Sequence, residues 1–147
     1  MNRVLGVDLG TRRIGLAASD PSGVLASPYS TRVRAGSVDD DHRAILAAAN
    51  EVGATRIVVG LPRSLDGGMG PAARSALDEI DALRDLARAA GIKVDTYDER
   101  FTTMIAQRNL RDANPRRNQR RRAVRDDIDA SAAAVILQSW LDARPRG

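Results

Sequence analysis

The chain has no cysteine, which excludes disulfides, thiolate metal sites and cysteine nucleophiles. It has a single histidine, His42, so histidine-led catalytic triads have little to draw on. Aromatic residues make up 3% of the chain, too few for a platform on which single-stranded bases stack. Lysine is nearly missing: Lys93 stands alone among 23 basic residues, and the rest are arginine. No apolar run approaches the roughly 20 residues needed to cross a bilayer, and the start of the chain reads as a strand rather than a signal peptide. These absences lead us to expect a cytoplasmic protein with no membrane association. With 147 residues, 43% hydrophobic and 29% charged, one globular domain over residues 1–147 is expected.

What is present begins with an acid in an unwelcoming place. The run Val4-Leu5-Gly6-Val7-Asp8-Leu9-Gly10 is an apolar strand with one carboxylate in it. A second apolar run, Ile14 to Ala18, follows a short Thr11-Arg12-Arg13 turn. An uncompensated buried charge costs several kcal/mol, so Asp8 requires a metal ion, a ligand or an arginine such as Arg12 or Arg13. A salt bridge would satisfy the charge without explaining why an acid is in the strand.

The remaining elements follow from periodicity and punctuation. Strands are expected over 3–8 and 13–19, with a third run from Val24 to Val33 whose Pro28 suits an edge. Asp39-Asp40-Asp41 opens a helix that stops at Gly53, and acids favour a first turn. That acidic run, with His42 beside it, reads as a solvated face. Arg56 to Gly60 is a continuous apolar strand of the kind buried on both faces. A loop from Leu61 to Gly70 leads to Pro71 at the head of a helix whose stripe is Leu77, Ile80, Leu83 and Leu86. A strand over Ile92–Tyr97, a helix from Thr102 to about Asp112, a basic loop to Arg125 and a last helix from about Asp126 to Ala143 complete the order. The first three strands are close enough to form a meander, and the later ones need helical crossovers. A mixed five-stranded sheet flanked by helices follows, an α/β class with the element order of a ribonuclease H-like domain.

Three carboxylates sit at the edges of apolar elements: Asp8, Glu99 and Asp129. In such an arrangement those elements lie side by side, and a converging acid triad can hold paired divalent ions for in-line phosphodiester displacement. All-oxygen ligation suits Mg2+ or Mn2+. Each acid has a plainer reading. Asp98-Glu99-Arg100 resembles any surface charge cluster, and strand alternation lets one of Asp98 and Glu99 face inward without saying which. With Asp126 as N-cap, Asp129 would be an ordinary first-turn acid. Against that, it shares a face with Ala132, Ala133, Ile136 and Trp140, and the alanines would let the helix approach the sheet closely.

Two further segments bear on ligands. Leu61 to Gly70 joins a strand to a helix with glycines that would let backbone amides approach a phosphate, although it lacks a Walker ending and a flexible turn would look the same. Arg116, Arg117, Arg120, Arg121, Arg122 and Arg125 fall within ten residues, as a phosphate grip would require and as a solvated loop would also allow.

Together, Gly6-Val7-Asp8-Leu9-Gly10 with Arg13-Ile14-Gly15, Val59-Gly60-Leu61-Pro62 with Asp66-Gly67 and Gly70, Asp98-Glu99-Arg100 with Thr102-Thr103, and Asp129 with Ala132-Ala133 and Ile136-Leu137-Gln138 resemble the YqgF family over nearly the whole chain. The resemblance implies a fold related to the Holliday-junction resolvase RuvC and a nuclease role in maturing the 5′ end of precursor 16S ribosomal RNA, with junction resolution as the alternative. It implies Asp8, Glu99 and Asp129 as catalytic and metal-binding acids. Nucleic-acid contacts are expected from Arg13, Arg100, Thr102, Thr103, Arg116, Arg117, Arg120, Arg121 and Arg122. Structured RNA or branched DNA, ribosome precursors and a second copy of the chain are the expected partners. RuvC-type enzymes carry a further acid one turn along the last helix, where this chain has Ala132. Asp8-Leu9-Gly10-Thr11 also resembles the phosphate-binding turn of actin-like ATPases, but 147 residues leave no room for the second domain those proteins need. A non-catalytic RNA-binding assembly factor is the third reading.

Overall fold

The computed structural model describes residues 3–62, 70–99 and 121–144, with the backbone alone for 121–128. Its strands are β1 (Arg3–Leu9), β2 (Arg13–Ser19), β3 (Ala26–Val33), β4 (Ala54–Leu61) and β5 (Lys93–Asp98). Its helices are α1 (Val38–Val52), α2 (Pro71–Ala89) and α3 (Arg121–Ala143). The sheet runs in the order β3-β2-β1-β4-β5. The first hairpins pair antiparallel, and β1, β4 and β5 pair parallel. This is the expected mixed sheet, with proline-bearing β3 at an edge where a missing N–H does least harm.

Strand alternation divides the core in two. Leu5 and Val7 of β1, Ile14 and Leu16 of β2, and Ile57 and Val59 of β4 face α1 and α2, meeting Ile45, Ala49, Ile80 and Leu83. Val4, Ala17 and Val58 face the other way, onto Ala132, Ala133, Ile136 and Leu137 of α3. Covering both faces removes the central strands from water, at roughly 1.5–3 kcal/mol for each large aliphatic side chain. Further out on α3, the guanidinium groups of Arg56 and Arg144 each lie over the Trp140 ring, 5.7 and 4.7 Å from its centroid.

Local chemistry sets the boundaries. Ser37 caps α1 by accepting from the Asp40 amide, and Gly53 ends it at φ 73°, in the left-handed region, where a side chain would be strained. Pro71 opens α2, where its missing N–H would have no partner in any case. β3 begins at Ala26 rather than the expected Val24. The reason is Asp20, whose Oδ1 takes the Val24 and Leu25 amides at 2.8 and 3.0 Å and so commits them to the hairpin loop. Gln138 of α3 holds that loop from above, accepting from the Ala26 amide and donating to the Val24 carbonyl, both at 2.9 Å.

Two expectations need correction. α3 is already helical at Arg121, ahead of the expected start near Asp126. No glycine or proline interrupts 121–125, and arginine is a good helix former, so the basic stretch continues the helix backwards. Asp129 therefore sits about two turns inside α3, and a first-turn role does not account for it. Nor is the whole start of α1 solvated. Asp41 and His42 are buried, at 1% and 2% exposure, with Asp41 against Arg34 and the Ala35 amide and His42 against Glu79 of α2. The expected helix over 102–112 and residues 63–69 of the glycine loop lie outside the described residues.

Candidate active site

Asp8 lies on the α3 face of β1, in phase with Val4 and Gly6 and opposite to Leu5 and Val7. It is buried, at 8% exposure. Its antiparallel partner on β2 is Gly15. On the other side, carrying the β1–β4 register one residue beyond Val7↔Val59 sets Asp8 beside Gly60. The acid thus stands between two residues with no side chains.

Those gaps are filled from above. A Cβ on Gly15 would lie 2.0 Å from the main-chain oxygen of Asp129, and one on Gly60 would lie 3.0 Å from Glu99 Oε1 and 2.5 Å from Ile136 Cδ1. A Cβ on Gly6 would meet Leu137 Cβ at 2.7 Å and the Ala133 carbonyl at 2.9 Å. The glycines of β1, β2 and β4 therefore form a smooth floor on which α3 lies closer than any side-chain-bearing strand would allow. The small residues Ala132 and Ala133, both buried, complete the fit from the helix side.

This floor brings the three predicted acids to one end of the sheet. Asp8 enters from β1, Glu99 from the residue after β5, and Asp129 from α3 over the strand beside Asp8. The choice that alternation left open is decided here: Tyr97 packs with the α3-side core, Asp98 belongs to the opposite phase, and Glu99 reaches back over Gly60. Arg13, partly buried, begins β2. Arg100, Thr102, Thr103, Arg116, Arg117 and Arg120 lie outside the described residues, and Arg121 and Arg122 are described as helical backbone alone.

The donor set is all carboxylate oxygen, which fits a hard divalent cation such as Mg2+ or Mn2+. Among the described residues, no trio of His, Cys, Asp or Glu side chains forms a ready-made cation site. The elements bring the acids to one edge without closing them around a point.

Set behind Asp8 is a second polar cluster that sequence reasoning does not reveal. Arg34 forks onto Glu79 of α2, at 2.8 and 2.9 Å, and its Nε donates to the Gly10 carbonyl at 2.7 Å. Asp41 accepts from the Ala35 amide at 2.9 Å, and His42 Nε2 meets Glu79 Oε2 at 3.0 Å. Burial alone would raise the Glu79 pKa, but hydrogen bonds from His42 and Arg34 and the Arg34 charge bring it down to about 2. One signal of the cluster does exist in the sequence: His42 precedes Ile45 and Ala49 at the spacing of the buried stripe.

With this geometry in place, comparison with known proteins gives a consistent answer. A family model described as "RuvX: Holliday junction resolvase" matches residues 2–143. The chain belongs to the RuvX family. This is the family that the sequence motifs resemble under the name YqgF. Relatives named "Putative pre-16S rRNA nuclease" include one from Mycobacteroides abscessus, 46% identical over 98% of this chain and 83% of its own length. Others come from Mycobacterium ulcerans, at 48% over 97% and 79%, and Mycobacterium tuberculosis, at 43% over 97% and 79%. Among solved structures, Thermus thermophilus RuvC in complex with a Holliday junction substrate superposes with a TM-score of 0.55 over 98% of this chain and 96% of that one, at 17% identity. That likeness establishes a ribonuclease H-like fold for this RuvX chain. Ala132 is packed into the α3-side core at 3% exposure.

Proposed function

We propose that this RuvX protein is a metal-dependent nuclease that hydrolyses phosphodiester bonds in precursor 16S ribosomal RNA, at its 5′ end. The observation that carries this reading is Asp8 standing between Gly15 and Gly60, with Asp129 of α3 over one and the Glu99 carboxylate over the other. A buried strand acid flanked by glycine floors, at the edge where two other acids arrive, serves chemistry better than stability. The names of the mycobacterial relatives favour the RNA substrate.

In this reading Asp8, Glu99 and Asp129 hold Mg2+ or Mn2+. When bound, such ions supply activation of water and stabilisation of the leaving oxygen. The chain's own part is to fix the carboxylates on three rigid elements and to keep the inner side of the site dry through the α3–sheet contact. Arg13, Arg100, Thr102, Thr103 and the arginines from Arg116 to Arg122 provide the phosphate contacts, which position the substrate without reading its bases. The protein works in the cytoplasm as one domain, with ribosome precursors as its partners. No helix among the described residues is long and apolar enough to cross a membrane.

Resolution of four-way DNA junctions is the second reading, favoured by the description of the matching family; symmetric cutting would then require a homodimer. The deciding experiment gives purified protein precursor rRNA fragments and four-way DNA junctions, each with Mg2+ or Mn2+, alongside Asp8→Asn. RNA cleavage that disappears in the variant supports the first reading, and junction cleavage that does so supports the second. Tight RNA binding with no cutting would identify a non-catalytic assembly factor instead.

A further inference from the structure

Arg34 follows β3 and bonds to side chains of α1 and α2, yet it is also tied to the turn just after β1, two residues beyond Asp8. Its main-chain amide donates to the Arg12 carbonyl at 2.9 Å, and its Nε donates to the Gly10 carbonyl at 2.7 Å. Gly10 is two residues beyond Asp8, and its own amide closes the turn onto the Arg13 carbonyl at 2.9 Å. The turn has no slack: a Cβ on Gly10 would lie 2.5 Å from that same Arg13 oxygen.

The guanidinium is itself held on its other side. Both Nη atoms reach the two Glu79 oxygens in a fork, and Nη1 also lies 3.4 Å from Asp41 Oδ2. Arg34 keeps 17% of its side-chain surface exposed, Glu79 14% and Asp41 2%. The titratable and charged side chains facing the cluster among the described residues are His42 of α1, on Glu79 at 3.0 Å, and Arg32 of β3, on Asp41 at 3.6 Å. Ion pairs this deep contribute little net stability, because desolvation offsets attraction. A forked arginine does define a direction, since its donors lie in one plane. Here the fork fixes the direction in which Nε points, and Nε points at Gly10.

We infer that Arg34 is a positioning residue for the acid at position 8: helices α1 and α2, through Asp41 and Glu79, set the guanidinium that clamps the Gly10–Arg12 turn and so fixes where the end of β1 presents its carboxylate. This rests on the nuclease reading given above. A lysine at this position keeps the charge but cannot fork onto Glu79 while donating sideways to Gly10. Glu79→Gln leaves the arginine in place and removes the charge that orients it.

The test uses the full chain as wild type, Arg34→Lys and Glu79→Gln, with Asp8→Asn alongside. Hydrogen exchange of the peptide covering Leu9–Arg13 is followed against that of Ile57–Val59 in β4. Cleavage of precursor rRNA fragments and four-way junctions is measured across a Mn2+ titration. The expected result is exchange about tenfold faster in the turn with β4 unchanged. It is joined by a kcat about tenfold lower and a raised half-activating Mn2+ concentration at unchanged KM, the low end of what loss of a supporting group costs. Glu79→Gln shows the same pattern more weakly, and it carries the test if Arg34→Lys does not fold. Arg34 is no positioning residue if turn and β4 lose protection together, if the turn is unchanged, or if kcat falls merely with the folded fraction while the Mn2+ dependence stays put. Cutting by wild type that persists in Asp8→Asn, or no cutting by wild type, overturns the nuclease reading; the exchange pattern, which needs no activity, still decides whether the clamp exists.

Discussion

The main-chain oxygen of Asp129 stands over the α-carbon of Gly15, 2.0 Å from the point where a Cβ would be. Gly15 is the cross-strand partner of Asp8. One helix–strand contact therefore sets both the depth of α3 on the sheet and the distance between two of the three acids. Stability and geometry are coupled there, and substitutions should separate them.

Gly15→Ala forces α3 to lift, since main chain on main chain has no side-chain rotamer to give way. Overpacking of that kind costs about 1–3 kcal/mol, or more where backbone must move. We expect a loss of about 3 kcal/mol in urea unfolding. Gly70→Ala, where a Cβ meets nothing within 4 Å among the described residues, should stay within about 0.5 kcal/mol.

Gly60→Ala makes a softer contact, with the Ile136 Cδ1 tip at 2.5 Å and Glu99 Oε1 at 3.0 Å. Ile136 can turn away, whereas Glu99 is displaced from its place over the sheet. Cleavage should therefore fall by about tenfold or more, consistent with the cost of misplacing a reacting group, for a stability loss near 1 kcal/mol. Parallel melts and single-turnover assays check the split; equal losses in both would refute it.

Asp8→Asn keeps the shape of the side chain and removes its charge. On the proposed reading Asp8 is a metal ligand, and its loss should reduce cleavage by at least about 1000-fold, while the melting temperature moves by only a few degrees. A variant that unfolds would show instead that Asp8 is chiefly structural.

The Glu79 carboxyl is held at about 2 against an ordinary value of 4.5. A lowered folded-state pKa contributes stability above the unfolded value and loses it as pH falls. Unfolding free energy should therefore decline between about pH 5 and pH 2. With solvent reaching part of the group, the share traceable to Glu79 is on the order of 1–2 kcal/mol. In Glu79→Gln the decline over that interval should be shallower by that amount, as read from urea titrations at each pH.

Replacing Arg121 and Arg122 by glutamine tests the phosphate grip. If both touch phosphates, the slope of log binding constant against log salt for a precursor RNA fragment falls by about 1 for each phosphate no longer neutralised. An unchanged slope would make this stretch a solvated helix start.

Much of the fold is legible in the residues because its causes are local. Pro71, Gly53 and the apolar runs of β1 and β4 report main-chain requirements that neighbours in sequence largely settle. Expectation and structure part where packing overrides composition. His42 and Asp41 look solvated in an acidic turn, and it takes Glu79 and Arg34, from elements distant in sequence, to make them interior. The beginning of α3 differs from expectation because a run of arginines with no glycine or proline in it reads equally as loop or helix.

That an acid would sit in a buried strand follows from the chain's residues alone, because apolar neighbours on both sides of Asp8 leave it nowhere else to go. The family follows from them too, because short motifs spread over the chain admit one match. Which of Asp98 and Glu99 faces Asp8, how near Asp129 comes, and what holds the Gly10 turn emerge only once the chain has folded. These depend on strand register, on glycines that let α3 approach within main-chain contact, and on an arginine fork between two helices. They are distances between elements, and no local pattern of residues encodes a distance until the elements meet.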